Sequence, residues 1–191
     1  MPAKSVIETP ILKTKRLILK PVQLKDAAAI QKHFNNWNII KNLNAQVPWP
    51  YPDDGAEDFL KNNALPRMQK GEAFIWSIVL ENNFIGLIDL GWPNKRNAYG
   101  DRGFWLAEPY WKKGFMTEAI TAVNDYVFDI LKFEKYTVCN ARGNEGSQRV
   151  KEKTGAVLIG QKKINHHQGI TDSDVWEVTA ENWRKFKQPN R

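Results

Sequence analysis

Asn144 and Ser147 open the stretch "NEGSQRVKEKTG" three residues apart, and on a helix that step puts two side chains on one face. An amide and a hydroxyl so placed could grip a polar ligand and hand over a proton. Equally, Asn144 could be only a helix N-cap and Ser147 only a solvated first-turn residue. A second group lies in "EPYWKKGFMTEAITAV", residues 108–123. Gly114 lacks a Cβ, so a ligand could approach the backbone closely. The helix expected to follow leaves its first N–H groups unpaired and carries partial positive charge, and Lys112 and Lys113 add formal charge. Such a turn could cradle a phosphate or pyrophosphate without a metal. It could also be a plain strand-to-helix connection with solvated lysines. No GxxxxGK[ST] loop occurs and "KKGFMT" lacks three spaced glycines, which excludes two common phosphate-binding fingerprints. Glu108, Asp89 and Asp174 are candidates for a general base, and each could instead be an exposed or paired carboxylate. His166 and His167, in "NHHQG", would point to opposite sides of an extended segment. A polar loop is expected there, His33 is expected at the surface, and no metal site is expected.

Positioning these groups takes a particular run of elements. "KRLILKP" (15–21) alternates charged and apolar residues and closes on proline, as a short strand does. "KDAAAIQKHF" reads as a helix with Asp26 at its N-cap and Ile30 and Phe34 one turn apart. "NAQVPWPYPDD" (44–54) holds three prolines within five residues; this stiff loop could wall a site or simply pack on the surface. Asp53 or Asp54 could cap a second helix with Phe59 and Leu60 facing inward. "AFIWSIVL" and "FIGLIDLGW" flank "ENN" as a hairpin, and "RGFWLA" (102–107) adds a third apolar run before Pro109, a meander in all. From about 115 a helix carries Met116, Ala119, Ile120, Val123, Val127, Ile130 and Leu131 at helical spacing, predicting one buried face. "KYTVCNA" is a strand, residues 144–155 a short polar helix capped by Asn144 and stopped at Gly155, and two strands close the chain. The order is α+β with one mixed sheet.

The 191 residues suit one domain, and 42% hydrophobic against 26% charged residues excludes disorder. A net charge of +7 favours an anionic ligand or partner, but the basic residues are scattered, which excludes a basic tail. The single cysteine, Cys139, cannot form an internal disulfide and is expected to be a buried, inert thiol. The N-terminal residues lack a signal peptide's apolar core and no apolar run could span a bilayer, so a reducing, cytoplasmic setting and no membrane partner are expected.

"TKRLILKP", "FIGLIDL", "FWLAEPYWKKGFMTEA", "NEGSQRVKEKTGA" and "DSDVWEV", in this order from Thr14 to Trp183, resemble the GNAT acetyltransferase superfamily, in its branch of ribosomal-protein N-terminal acetyltransferases. The resemblance implies a mostly antiparallel central sheet of about seven strands flanked by about four helices. It places an N-acetyltransferase domain at 14–183 between an N-terminal extension, 1–13, and a C-terminal tail, 184–191. It implies acetyl-CoA as co-substrate and an amine acceptor, a peptide N-terminus or a small molecule, with the protein a monomer or homodimer. The turn Trp111, Lys112, Lys113, Gly114, Phe115, Met116 and Thr117 would bind the pyrophosphate through main-chain amides. Of the usual loop positions, here Trp111, Gly114 and Met116, only the glycine fits, and Lys112 replaces a glycine common in the branch. The strand Phe104, Trp105, Leu106 and Ala107 would splay from its neighbour and pair with pantetheine, a main-chain N–H near Leu106 or Ala107 polarising the acyl carbonyl. Asn140 and Asn144 would contact the cofactor, and Ser147 would protonate the departing sulfur. Two other readings remain: an acyl-CoA sensor with little turnover, suggested by the substituted turn, and a nucleic-acid-binding module, suggested by charge and eight tryptophans. The latter would cluster basic and aromatic residues on one element, which "RVKEK" and "QKK" do not.

Overall fold

The computed structural model describes residues 7–91, 100–167 and 169–188; Trp92, the last residue of the second hairpin run, and Gln168 lie outside them. Among the described residues eight strands form one sheet: β1 Leu12–Lys13, β2 Leu17–Pro21, β3 Ala73–Leu80, β4 Asn83–Gly91, β5 Gly100–Leu106, β6 Lys135–Ala141, β7 Val157–His166 and β8 Gly169–Thr179. Their order is β1-β2-β3-β4-β5-β6-β8-β7. Every neighbouring pair is antiparallel except β5 and β6. The strand beyond the seven expected is the two-residue β1.

The apolar run of β3 is continuous because both its faces are covered. Phe74, Trp76 and Ile78 enter one core with the long helix, while Ala73 and Ile75 enter a second with the helices before the meander. Period-two alternation thus sorts one strand between two cores. The β3–β4 hairpin turns on Glu81 and Asn82, with φ of 47° and 67°, the positive pair that a two-residue type I′ turn requires.

The helices are α1 Ala27–Phe34, α2 Trp37–Ile40, α3 Gly55–Phe59, α4 Leu65–Gln69, α5 Phe115–Asp125, α6 Glu145–Glu152 and α7 Ala180–Lys187. A π turn, Leu60–Ala64, joins α3 to α4, making one irregular helix of the second one expected. The additions to the expected four are α2 and α7. Asp26 does not cap α1 with its side chain. It is buried, accepts from the Gln23 N–H at 3.1 Å and from Ser77 Oγ at 2.7 Å, and pins the entry to α1 onto β3.

The long helix keeps its expected face through Val127, all buried, but Ile130 is 67% exposed. The cause is a π turn over Tyr126–Ile130: the Leu131 N–H reaches back to Tyr126 O at 3.0 Å. One extra residue turns the phase by about 100°, bringing Phe128 to full burial in place of Ile130.

The described segments nearest the two termini are tied to the body of the fold. Pro10 O accepts from Trp76 Nε1 at 2.8 Å. At the other end Trp183 is fully buried and Lys187 Nζ pairs with Asp125 at 2.6 Å and Asp129 at 3.2 Å. Within "NHHQG", β7 extends through His166, which is buried between Leu43 O at 3.0 Å and Ser173 Oγ at 2.8 Å, and His167 is a turn residue. Cys139 is half-buried on β6.

Candidate active site

Among the described residues, the parallel contact of β5 with β6 lasts two residues, Gly100 opposite Tyr136 and Asp101 opposite Thr137. Beyond it β5 follows β4 and β6 follows β8, so a wedge opens between Arg102–Leu106 and Val138–Ala141. The Ala107 N–H donates to Ile85 O at 2.8 Å. That bond makes Gly86 and Leu106 a pair without mutual hydrogen bonds, and antiparallel geometry then turns the Leu106 N–H away from β4 toward the wedge. Of the two amides expected to polarise a carbonyl, Ala107 is occupied and Leu106 faces the opening. The Leu106 carbonyl accepts from Trp111 Nε1 at 2.6 Å, which fixes the turn against the strand.

At the mouth of the wedge Lys112 and Gly114 both adopt left-handed backbone, with φ of 61° and 79°, and α5 begins. Its first N–H to find a helical partner is that of Glu118, on Gly114 O at 3.0 Å; the first-turn amides before it have no carbonyl one turn back. Arg16 braces this turn. Its guanidinium donates to Lys113 O at 3.2 Å and to Glu118 Oε2 at 2.7 Å, and lies over the Phe115 ring at 4.3 Å. Glu118 also accepts from Thr14 Oγ1 at 2.6 Å and the Arg16 N–H at 2.8 Å. Partial burial works against its ionisation, but the Thr14 and Arg16 donors outweigh that and hold its carboxyl below the ordinary value. The result is a cationic, amide-rich hollow.

A cavity of about 630 Å³ runs from this turn along the wedge. It brings together Phe104, Trp105, Leu106, Trp111, Lys112, Gly114, Phe115, Met116, Thr117, Asn144 and Ser147. Ala107, Lys113 and Asn140 are beside it rather than on its lining. Asn140, on β6, is buried with its Oδ1 unpartnered among the described residues. Asn144 does cap α6, accepting from the Ser147 N–H at 3.2 Å, which leaves its Nδ2 as donor. The far wall is Asn38, Ile39, Lys41, Asn42 and Leu43, from α2 and the turn after it. The proline-rich loop instead packs: Tyr51 is buried against Phe34, rings 5.1 Å apart, and burial, then the Asp58 charge, pushes its hydroxyl pKa up to about 12.

The three carboxylates separate. Glu108 lies off the cavity lining, in a separate hollow with His33 and Asn36, and accepts from Asn36 Nδ2 at 2.7 Å and from Asn38 Nδ2, a cavity-wall residue, at 3.1 Å; the Asn36 amide first and then Asn38 hold it below the ordinary carboxylate value. Asp89 forms a two-pronged ion pair with Arg67 at 2.6 and 3.1 Å. Asp174 accepts from Gln161 Nε2 at 3.2 Å on the outer strands. Neither aspartate lines the cavity.

Two residues escaped the sequence reading. Arg16 carried no signal, being 102 positions from its partner Glu118. Lys151 did: it follows Ser147 by four on a helix, the spacing of touching side chains. It is 1% exposed and donates to Ser147 Oγ at 2.7 Å.

Residues 16–157 match the family described as acetyltransferase (GNAT) domain. The chain belongs to the GNAT acetyltransferases. Enzymes of this family move an acetyl group from acetyl-CoA to an amine. The uncharacterized N-acetyltransferase YoaA of Bacillus subtilis (strain 168) is 26% identical to this GNAT chain over 173 residues, 88% of this chain and 96% of its own length. Mycobacterium smegmatis RimJ, solved in complex with CoA-disulfide, superposes with a TM-score of 0.82 at 18% identity, covering 91% of this chain and 88% of that one. The ribosomal-protein-S5-alanine acetyltransferase from Vibrio fischeri gives 0.78 at 18% identity, over 94% and 100% of the two chains.

Proposed function

We propose that this chain acetylates the α-amine of a protein N-terminus, with acetyl-CoA held in the wedge, in the cytoplasm. The observation that carries the reading is the divergence of β5 from β6 beside the left-handed turn at Gly114, with the Leu106 N–H turned inward. The neighbours that carry CoA, or are named for a ribosomal-protein alanine, support the same choice of donor and acceptor.

The residues present fit that co-substrate. First-turn amides of α5, with Lys112 and Arg16 beside them, suit a pyrophosphate. The inward main-chain groups of Phe104 and Leu106 suit the amides of a pantetheine arm, and Asn140 Oδ1 and Asn144 Nδ2 offer an acceptor and a donor beside it. Acetyl-CoA, when bound, supplies the acetyl group as a thioester. The Leu106 N–H then serves as the fixed donor for negative charge developing on the carbonyl oxygen. The Ser147 hydroxyl gives a proton to the leaving sulfur. The acceptor enters along Asn38, Lys41 and Asn42. Glu108, kept ionised by its two asparagines, draws the incoming ammonium and secures α2. An α-amine, with a reference pKa of about 7.7–8.0, is partly neutral near pH 7, so water suffices to take its proton. Asp89 and Asp174 have no part here, each being committed elsewhere.

The test is a screen of N-terminal peptides and small amines with acetyl-CoA, following thiol release and acetylated product. Acetylation of peptide α-amines is expected. Tight CoA binding with no acceptor turned over would instead favour the sensor reading, and no CoA binding at millimolar ligand would end both.

A further inference from the structure

We propose that Lys151 is a positioning residue for Ser147 and the source of the proton that Ser147 passes on; the inference rests on the acetyl-transfer reading above. A lysine with 1% exposure is an uncommon occupant of a protein interior. It lies one turn after Ser147 on α6, its ammonium on Ser147 Oγ at 2.7 Å and 5.4 Å from the centre of the Phe104 ring. Ser147 and Phe104 both line the cavity. An ammonium has three N–H donors and no acceptor, so in this bond Ser147 can only accept. Its own hydroxyl hydrogen is then left for the cavity, and the bond order runs one way, from Lys151 through Ser147 to the ligand. Arg102, 2% exposed and 5.8 Å from the same ring, puts a second cation behind the wedge, where anionic charge appears on sulfur.

A serine hydroxyl alone is a poor acid for a thiolate, because it would be left as an alkoxide, a far stronger base. With Lys151 behind it the step closes. The acceptor nitrogen forms a C–N bond to the carbonyl carbon; as that adduct collapses, C=O re-forms, the acyl C–S bond breaks with its electron pair moving to sulfur, and the Ser147 proton forms S–H. A Lys151 N–H proton moves to Oγ and restores the hydroxyl, leaving a neutral amine. That amine regains from solvent the proton which the acceptor amine has released there. Reference pKa values of about 10.4 for a lysine ammonium and about 8.5 for a thiol bring the two ends within reach of such a relay.

K151M keeps the length of the side chain and removes charge and donor. Its kcat is expected to fall by about a hundredfold, the lower end of the usual range for general-acid catalysis, with KM for acetyl-CoA changed less than about twofold. The S147A/K151M double variant should be no more than about twofold slower than S147A, as expected of two groups acting as one unit. A readout without turnover is the calorimetric affinity for CoA relative to desulfo-CoA at pH 9, where a free thiol is largely ionised. Wild type should prefer CoA, and K151M and S147A should lose the preference. If K151M does not fold, K151Q, neutral but still an N–H donor, carries the same comparisons. Full kcat in the variant, effects that multiply in the double variant, or an undiminished CoA preference would each overturn the proposal. A wild-type protein that binds CoA and prefers it over desulfo-CoA but acetylates nothing would remove the acetyl-transfer reading and this inference with it.

Discussion

At the scale of single residues, the turn that starts α5 separates backbone from charge. Lys112 sits at φ 61°, a conformation that costs a residue with a Cβ roughly 1 kcal/mol. K112G relieves that strain and removes one cation from the cavity lining. It should raise the unfolding free energy by up to about 1 kcal/mol in denaturant titration while weakening CoA binding in calorimetry. Equal or tighter binding would show that the main-chain amides hold the anion unaided. N144A removes the α6 cap at Ser147 and should cost about 1 kcal/mol together with CoA affinity; a stability loss alone would make Asn144 a cap and nothing more. The cap was legible because an asparagine before a helical run states its role locally. The Arg16–Glu118 brace was not, since nothing within one element marks a pair formed across the sheet.

At the scale of elements, the site depends on how closely β4 and β5 approach. A Cβ at Gly86 would run into the Trp105 carbonyl oxygen and come within 3.1 Å of Leu106 Cα, and neither is the yielding end of a side chain. G86A should therefore cost roughly 1–3 kcal/mol, the usual range for overpacking, and lower CoA affinity because the strand forced to move is the one whose Leu106 amide faces the wedge. Wild-type stability in thermal unfolding would show that the sheet absorbs the shift without strain. The succession of elements along the chain and the meander could be read from apolar periodicity; the place of β8 between β6 and β7 could not. The wedge could not, because it consists of main-chain groups that fail to pair, and no side chain announces them. The π turn at Tyr126–Ile130 was hidden for a related reason: a slipped hydrogen bond changes which residues face inward without changing composition.

At the scale of the whole molecule, acid should loosen the fold in a defined window. Glu118 and Glu108 both have carboxyls held below the ordinary value of 4.5 in the folded protein. Groups depressed in this direction add stability that is fully present above the unfolded value and lost as pH falls through the folded one. Unfolding free energy should thus hold its contribution from these groups above pH 5 and lose it below about pH 4.5. E118Q, which breaks the tie of residues 14–16 to α5, should lose about 1–2 kcal/mol at neutral pH and show a shallower acid decline; an unchanged decline would assign the acid sensitivity elsewhere. The junction of β5 with β6, two rungs among the described residues, has a consequence of its own. Two half-sheets, β1–β5 and β6–β8, share so little direct pairing that an extended polyamide lodged between them would act as a keystone, completing from outside the ladder that the polypeptide leaves unfinished.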